Sequence, residues 1–229
     1  MRYALYFTPP ADAPLTRSAA LWLGRDAFSG ETIAVRDTGP FAAEAFAALT
    51  EDPRRYGFHA TIKAPFELAS DRSEAELIAR FEAFCATRPA FEIPSVVVGQ
   101  LGPFFALIPA EPHPPLQDFA AAAVEAFEPF RATLSDADIA RRKPERLSEA
   151  QRANLLRWGY PYVMDEFRFH MTLSGPVEPE RADAMRELAS ARFAAFTDKP
   201  LPISGLALFV ERERGTPFTV HTWQPLTGA

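Results

Sequence analysis

The sequence predicts an antiparallel α+β fold of two similar lobes, roughly residues 1–110 and 111–229, that share one core. Three observations lead there. Short apolar runs come in hairpin-like pairs, which favours antiparallel pairing, although the alternation of strands and helices would also permit a parallel α/β sheet. Each half holds, in the same order, an extended segment with a His-x-Thr triplet, a capped or proline-started helix, and a strand pair, a weak internal duplication. No Gly/Ser-rich linker separates the halves, so one bilobal domain over 1–229 is expected, with strands free to exchange between lobes.

Residues 2–8 read as a first strand, and 9–14 as a turn opening a helix with Leu15, Ala19, Trp22 and Leu23 on one face. An Ala-rich helix follows at 41–49. Residues 55–66 look extended, ending near Pro65. Asp71 with Glu74 has the capping-box pattern ahead of a helix carrying Leu77, Phe81 and Phe84. Residues 91–98 and 104–108 form a strand pair, and 116–127 another Ala-rich helix. A charged middle segment spans 136–146. Ser148 and Gln151 make a second capping box before Leu155, Leu156 and Trp158. Residues 167–174 are extended and closed by Gly175-Pro176, and the next helix carries Met185, Leu188, Ala189, Phe193 and Phe196. Residues 201–211 and 217–223 finish the chain as a hairpin whose turn contains Gly215.

With 229 residues and 48% hydrophobic content, the chain can bury a large core. No window approaches the roughly 20 unbroken apolar residues of a membrane-spanning helix. The start, MRYALYFTPP, reaches proline too early for a signal peptide, so a cytoplasmic location with no membrane partner is expected. Cys85, the single cysteine, excludes an intrachain disulfide framework and a Cys-rich zinc site; its apolar-periodic surroundings make it a core thiol. A net charge of −6 and a pI near 5.3 argue against long nucleic acid as a partner, since phosphate-tracking surfaces need excess Lys and Arg. Small phosphorylated ligands remain open.

In a strand, residues i and i+2 share a face. Residues 57–63, Gly-Phe-His-Ala-Thr-Ile-Lys, thus set His59, Thr61 and Lys63 on one side and Phe58, Ala60 and Ile62 on the other. Residues 167–174 repeat the pattern: Phe167, Phe169, Met171 and Leu173 are apolar, while Arg168, His170, Thr172 and Ser174 share the polar face. One His-x-Thr is common, and a strand histidine is usually a structural hydrogen-bonding residue. Two copies at corresponding places with matching aromatic flanks form a pattern. The pair suits phosphate-ester cleavage: one imidazole takes a proton from the attacking oxygen and the other protonates the leaving oxygen. Both forms are accessible because imidazole titrates near neutrality. Each threonine can donate its hydroxyl to a non-bridging phosphate oxygen, and Lys63 and Arg168 are candidates for neutralising charge. This scheme needs no metal and no other cofactor.

Residues 55–63 (Arg-Tyr-Gly-Phe-His-Ala-Thr-Ile-Lys), 158–163 (Trp-Gly-Tyr-Pro-Tyr-Val) and 167–175 together resemble the 2H phosphoesterase superfamily, and within it a bacterial branch described by phosphonate metabolism. The likeness runs over most of the chain. It implies pseudo-twofold lobes around a central cleft and metal-independent action on cyclic phosphates and 2',5'-linked phosphodiesters. It implies His59 and His170 as catalytic residues and Thr61 and Thr172 as phosphate-binding residues. The phosphonate branch implies a small ribose cyclic phosphate as substrate.

Tyr56, beside the first motif, is a candidate substrate contact, with edge packing as the competing reading. Arg141, Arg142 and Lys143 form a basic cluster that would close over an anionic substrate as a flap, Arg142 binding it; a solvated charged face competes. His113 reads as a surface-loop residue, and His221, alternating with Thr219 and Trp223, is a further candidate for the cleft. Three other functions compete. A 2',3'-cyclic RNA phosphodiesterase or RNA-end-processing enzyme is disfavoured by the acidic charge. A zinc enzyme is disfavoured by the lack of His-Glu-x-x-His and of a Cys cluster. A non-catalytic sensor of a nucleotide or phosphometabolite would have no need of two proton-transfer groups.

Overall fold

A computed structural model describes residues 1–228. The first half contains β1 (Arg2–Phe7), α1 (Pro14–Leu23), α2 (Ala43–Leu49), α3 (Glu51–Tyr56), β2 (Ala60–Phe66), α4 (Glu74–Ala86), β3 (Phe91–Ile93), β4 (Val96–Leu101) and β5 (Phe104–Pro109). The second contains α5 (Pro114–Phe127), α6 (Asp136–Arg141), α7 (Glu149–Trp158), β6 (Met171–Thr172), α8 (Pro179–Phe193), β7 (Leu201–Ile203), β8 (Gly205–Glu211) and β9 (Thr219–Pro225).

Local chemistry explains most boundaries. Pro14 starts α1 and Gly24, left-handed at φ 77°, ends it. Ser148 and Gln151 form the expected box at α7. The box at α4 belongs to Ser73 and Glu76, two residues beyond the Asp71–Glu74 pair. The Arg72 amide bonds back to the Ala69 carbonyl in a turn, which keeps Arg72 out of the helix. Three expected strands are shorter than their apolar patterns. Arg55 and Tyr56 close α3 and are not extended. Pro94, which has no amide hydrogen, splits residues 91–98 into β3 and β4. Within 167–174 only Met171 and Thr172 enter the ladder.

Seven strands form one sheet in the order β4-β5-β6-β2-β1-β8-β9, and β3 pairs with β7 separately. All neighbours are antiparallel, giving the α+β class expected. β6 from the second half lies between β5 and β2 of the first, and the β8–β9 hairpin extends the sheet from β1. The core on one face unites Leu5, Phe7, Ile62, Phe105, Met171 and Leu208 with Trp22, Phe81, Phe127 and Phe193 from four helices. The opposite face carries a smaller cluster of Ala4, Tyr6, Ala27, Ala207, Phe209 and Phe218. Cys85 is buried in the main core, and burial pushes its thiol up to about 12.

The β1–β2 register corrects one expectation. Tyr6 lies opposite Thr61, but its neighbour Leu5 lies opposite Lys63, so β2 holds an extra residue at this point. Such a bulge reverses the alternation. Thr61 shares the face of Tyr6, whereas Lys63 shares that of Leu5 and turns into the main core. There it is 3% exposed, and its ammonium donates to the Val124 carbonyl at 3.2 Å and the Glu128 carboxylate at 2.8 Å. Lys63 is therefore a structural residue on the far side of the sheet from His59.

Gly57, which closes α3, adopts φ 79° and ψ 170°, a region essentially restricted to glycine. A Cβ there would sit 2.5 Å from the Ala27 Cβ.

Two substitutions test these placements by urea unfolding. Lys63→Met is expected to lower stability by about 1–3 kcal/mol, the scale of hydrogen bonds to a charged group. Gly57→Ala is expected to cost about 1–3 kcal/mol through backbone strain, before any cost of the contact with Ala27. Unchanged stability in either variant contradicts the corresponding assignment.

Candidate active site

The two His-x-Thr segments meet at the centre of the sheet. Ala60 of β2 pairs with Met171 of β6. Antiparallel counting outward from that pair sets His59 across from Thr172 and Thr61 across from His170. Ala60 and Met171 point into the main core, so the four polar side chains project from the opposite face.

The imidazoles are oriented alike. His59 Nδ1 lies 2.8 Å from the Gly57 carbonyl oxygen, and His170 Nδ1 lies 2.7 Å from that of Arg168, each acceptor being two residues upstream. A carbonyl can only accept, so Nδ1 carries the hydrogen and Nε2 is left with its lone pair in the neutral ring. The Thr61 hydroxyl is 3.2 Å from His59 Nε2 and can donate to it.

Tyr6, which is 1% exposed, stacks on His59 with ring centroids 3.8 Å apart and planes at 21°. Burial pushes the His59 imidazole down to about 4, and nearby His170 contributes in the same direction. His170, with Phe104 at 5.7 Å, is likewise held below its ordinary value by burial. Burial thus disfavours the charged form of both rings in the free protein. An anion between them would favour protonation of one.

His59, Thr61, His170 and Thr172 line a cleft of about 360 Å³ with Arg2, Tyr6, Tyr56, Phe104, Arg142 and Tyr160. Tyr56 stacks on Phe218 at 5.2 Å and lies 6.1 Å from His59. Arg142 sits over the Tyr160 ring, its guanidinium carbon 5.0 Å from the centroid.

Arg168 is displaced from its expected place. It lines an adjoining cavity of about 450 Å³ that shares Thr61, Phe104, Tyr160 and His170 with the cleft. The ladder begins only at Met171, so nothing holds residue 168 in the strand alternation. Arg168 orients His170 through its carbonyl. Arg141 pairs with Asp138 at 2.6 Å. His221 is outside the cleft, 3.3 Å from Glu74, and His113 precedes α5, stacked on Phe91.

The motif-based reading missed Tyr6, Arg2, Phe104 and Tyr160. A signal existed for two of them: alternation in β1 sets Arg2, Ala4 and Tyr6 on one face, polar at both ends in an otherwise apolar strand. Among the described residues, no group of three or more His, Cys, Asp or Glu is placed to hold a metal ion. No described helix is long and apolar enough to cross a membrane.

Two curated relatives match nearly the whole chain. Ribose 1,5-bisphosphate phosphokinase PhnN of Janthinobacterium sp. (strain Marseille) is 38% identical over 231 aligned residues, covering 99% of this chain and 51% of the relative. The protein of the same name from Laribacter hongkongensis (strain HLHK9) is 34% identical over 225, covering 95% and 50%. The chain thus spans about half the length of these curated relatives. A crystal structure of a phosphoesterase aligns over 99% of this chain and 98% of its own, at 15% identity and a TM-score of 0.47. The family described as "Protein of unknown function (DUF1045)" matches residues 61–219, a span that takes in Thr61, the His170 motif and most of the sheet. The chain belongs to the DUF1045 family.

Proposed function

We propose that the cleft is the active site of a metal-independent phosphoesterase of the 2H type, acting on a small cyclic phosphate ester of ribose with His59 and His170 as its acid/base pair. The observation that carries this reading is the pairing of two equivalently oriented imidazoles across the β2–β6 junction. Each has Nδ1 bonded to an upstream carbonyl and Nε2 available for proton transfer.

His59, the more deeply buried ring, suits the base. Its Nε2 takes a proton from water as the water oxygen forms a bond to phosphorus. The ring P–O bond breaks on the opposite side, and His170, protonated at Nε2, gives its proton to the departing oxygen. The Gly57 and Arg168 carbonyls stabilise each imidazolium through Nδ1–H, and the Thr61 and Thr172 hydroxyls donate to the non-bridging oxygens. The product is an open phosphate monoester, and protons and bonds balance.

The relatives' name supports a ribose phosphate as substrate. Opening a 1,2-cyclic phosphate of ribose 5-phosphate at its O2 bond leaves ribose 1,5-bisphosphate, the compound in that name. A phosphodiesterase half would then supply the substrate of a kinase half, in keeping with a role in phosphonate catabolism.

His59→Asn and His170→Asn are each expected to lower kcat by about two to four powers of ten, the scale of losing one general acid or base. Steady-state turnover of a ribose cyclic phosphate checks this, and near wild-type rates in either variant would sink the two-histidine mechanism. Turnover is expected to survive a strong chelator.

Burial lowers both imidazoles, so the form with one ring protonated is most abundant on the acid side of the ordinary imidazole value. The kcat/KM profile is therefore expected to be bell-shaped with its maximum below about pH 6.5, the unperturbed imidazole value. The kcat profile should lie at higher pH, because the bound phosphate anion favours imidazolium. A single-limbed kcat/KM profile, or a maximum above pH 7.5, would count against the assignment.

A further inference from the structure

We propose that the cleft continues into a second anion subsite, headed by Arg142, that holds a phosphoryl group of the substrate distant from the one being cleaved. This rests on the phosphoesterase reading above and extends it to a doubly phosphorylated substrate.

Beyond the histidines the cleft opens into a smaller cavity, with Arg2, Pro65 and Arg142 lining both. Five arginines border this extension, Arg2 and Arg142 among them, against the carboxylates of Glu67 and Asp138. Its other arginines are already engaged. Arg131 pairs with Glu128, Arg141 with Asp138, and Arg214 with both Glu67 and Asp138. Arg2 meets Glu211, but Arg55 shares that carboxylate, so two guanidiniums face one acid.

Arg142 differs from all of these. Among the described residues its guanidinium has no carboxylate partner and donates no hydrogen bond. It lies over the half-buried Tyr160 ring, at the junction of the two cavities. Stacking on an aromatic face fixes the plane of a guanidinium while leaving its edge donors open, the geometry that takes a phosphate bidentately.

The support beneath Arg142 is anchored. The Ser135 hydroxyl caps α6 by accepting from the Asp138 amide at 3.1 Å. The Asp138 carboxylate is gripped by Arg141 from within the helix and by Arg214 from the β8–β9 connection. The basic segment, which the sequence offered as a closing flap or a solvated charged face, is thus tied to the β8–β9 connection, with Arg142 lining the cleft. A single reacting phosphate between the two imidazoles does not account for an open guanidinium where the cleft meets the second cavity, which neither histidine lines.

The test compares ribose 1,2-cyclic phosphate with and without a phosphate on O5. Wild-type protein is expected to favour the 5-phosphorylated compound in kcat/KM by about 10–100-fold, the scale of one or two hydrogen bonds to a charged group. Arg142→Ala should abolish most of that preference, and Arg142→Lys should keep part of it, since a point charge lacks the planar fork. Thermal melts monitored by circular dichroism establish that both variants fold. Calorimetric binding of the two compounds to His170→Asn, with and without Arg142→Ala, repeats the comparison independently of turnover. The subsite is overturned if wild type shows no preference, if Arg142→Ala retains it, or if that variant loses both substrates equally, which would assign Arg142 to the reacting phosphate. If neither compound is turned over, yet His170→Asn binds the 5-phosphorylated one more tightly in an Arg142-dependent way, the subsite stands and the phosphoesterase reading falls. Turnover without preference has the opposite meaning, and neither turnover nor binding overturns both.

Discussion

The pairing of Ala60 with Met171 joins two segments distant in sequence within one sheet, and the orientation of the cleft follows from it. β6 is only two residues long, too short to hold itself against the entropy of closing the intervening chain. It is secured from its flanks. The Phe105 carbonyl accepts from the Leu173 and Ser174 amides, and the Ser174 hydroxyl accepts from the Phe105 amide at 3.1 Å. The Trp22 indole donates to the Leu173 carbonyl at 2.8 Å, tying α1 to the same strand end. Because side chains alternate across a strand, fixing Ala60 and Met171 into the core directs both histidines and both threonines outward together.

The cleft gains its chemical character from burial of groups that ordinarily remain hydrated. Each imidazole keeps one hydrogen bond to a backbone carbonyl and lies near aromatic rings, Tyr6 against His59 and Phe104 near His170. Loss of water makes the charged form costly and favours the neutral one. Glu211, opposite Arg2 at the sheet end, shows the other outcome of burial. Burial alone would raise its carboxyl, but bonds from Arg2, the Gly215 amide and Arg55 hold it below the usual carboxylate range. It remains a counter-ion shared by two guanidiniums. Rings that favour the neutral form, beside partly compensated arginines, make a local environment suited to an anion on a chain of net charge −6.

The bulge in β2 separates the chemistry of two neighbouring residues on one strand. Thr61 stays beside His59, while Lys63 is turned to α5, where it ties the helix to the back of the sheet. A cationic side chain two positions from a motif threonine therefore serves stability, and the positive charge on the cleft side comes from β1 and from the segment after α6.

What the sequence determined by itself was local. The two His-x-Thr triplets, their apolar alternation, the Ser148–Gln151 box and the hairpin-like strand pairs can be read because one-residue steps and three-residue capping contacts lie within the chain's own periodicity. That was enough for the α+β class and for the residues that meet at the sheet centre. Long-range pairing decided the rest. No local pattern states that β1 opposes β2 with an extra residue, so the side on which Lys63 emerges was settled only by the register between two strands. The stacking of Tyr6 on His59 and of Tyr160 beneath Arg142, and the displacement of Arg168 from the cleft, likewise depend on which segments are brought into contact. Periodicity fixes the relative direction of neighbouring side chains only where a strand stays regular; tertiary pairing determines where regularity begins, where it breaks, and what each face then meets.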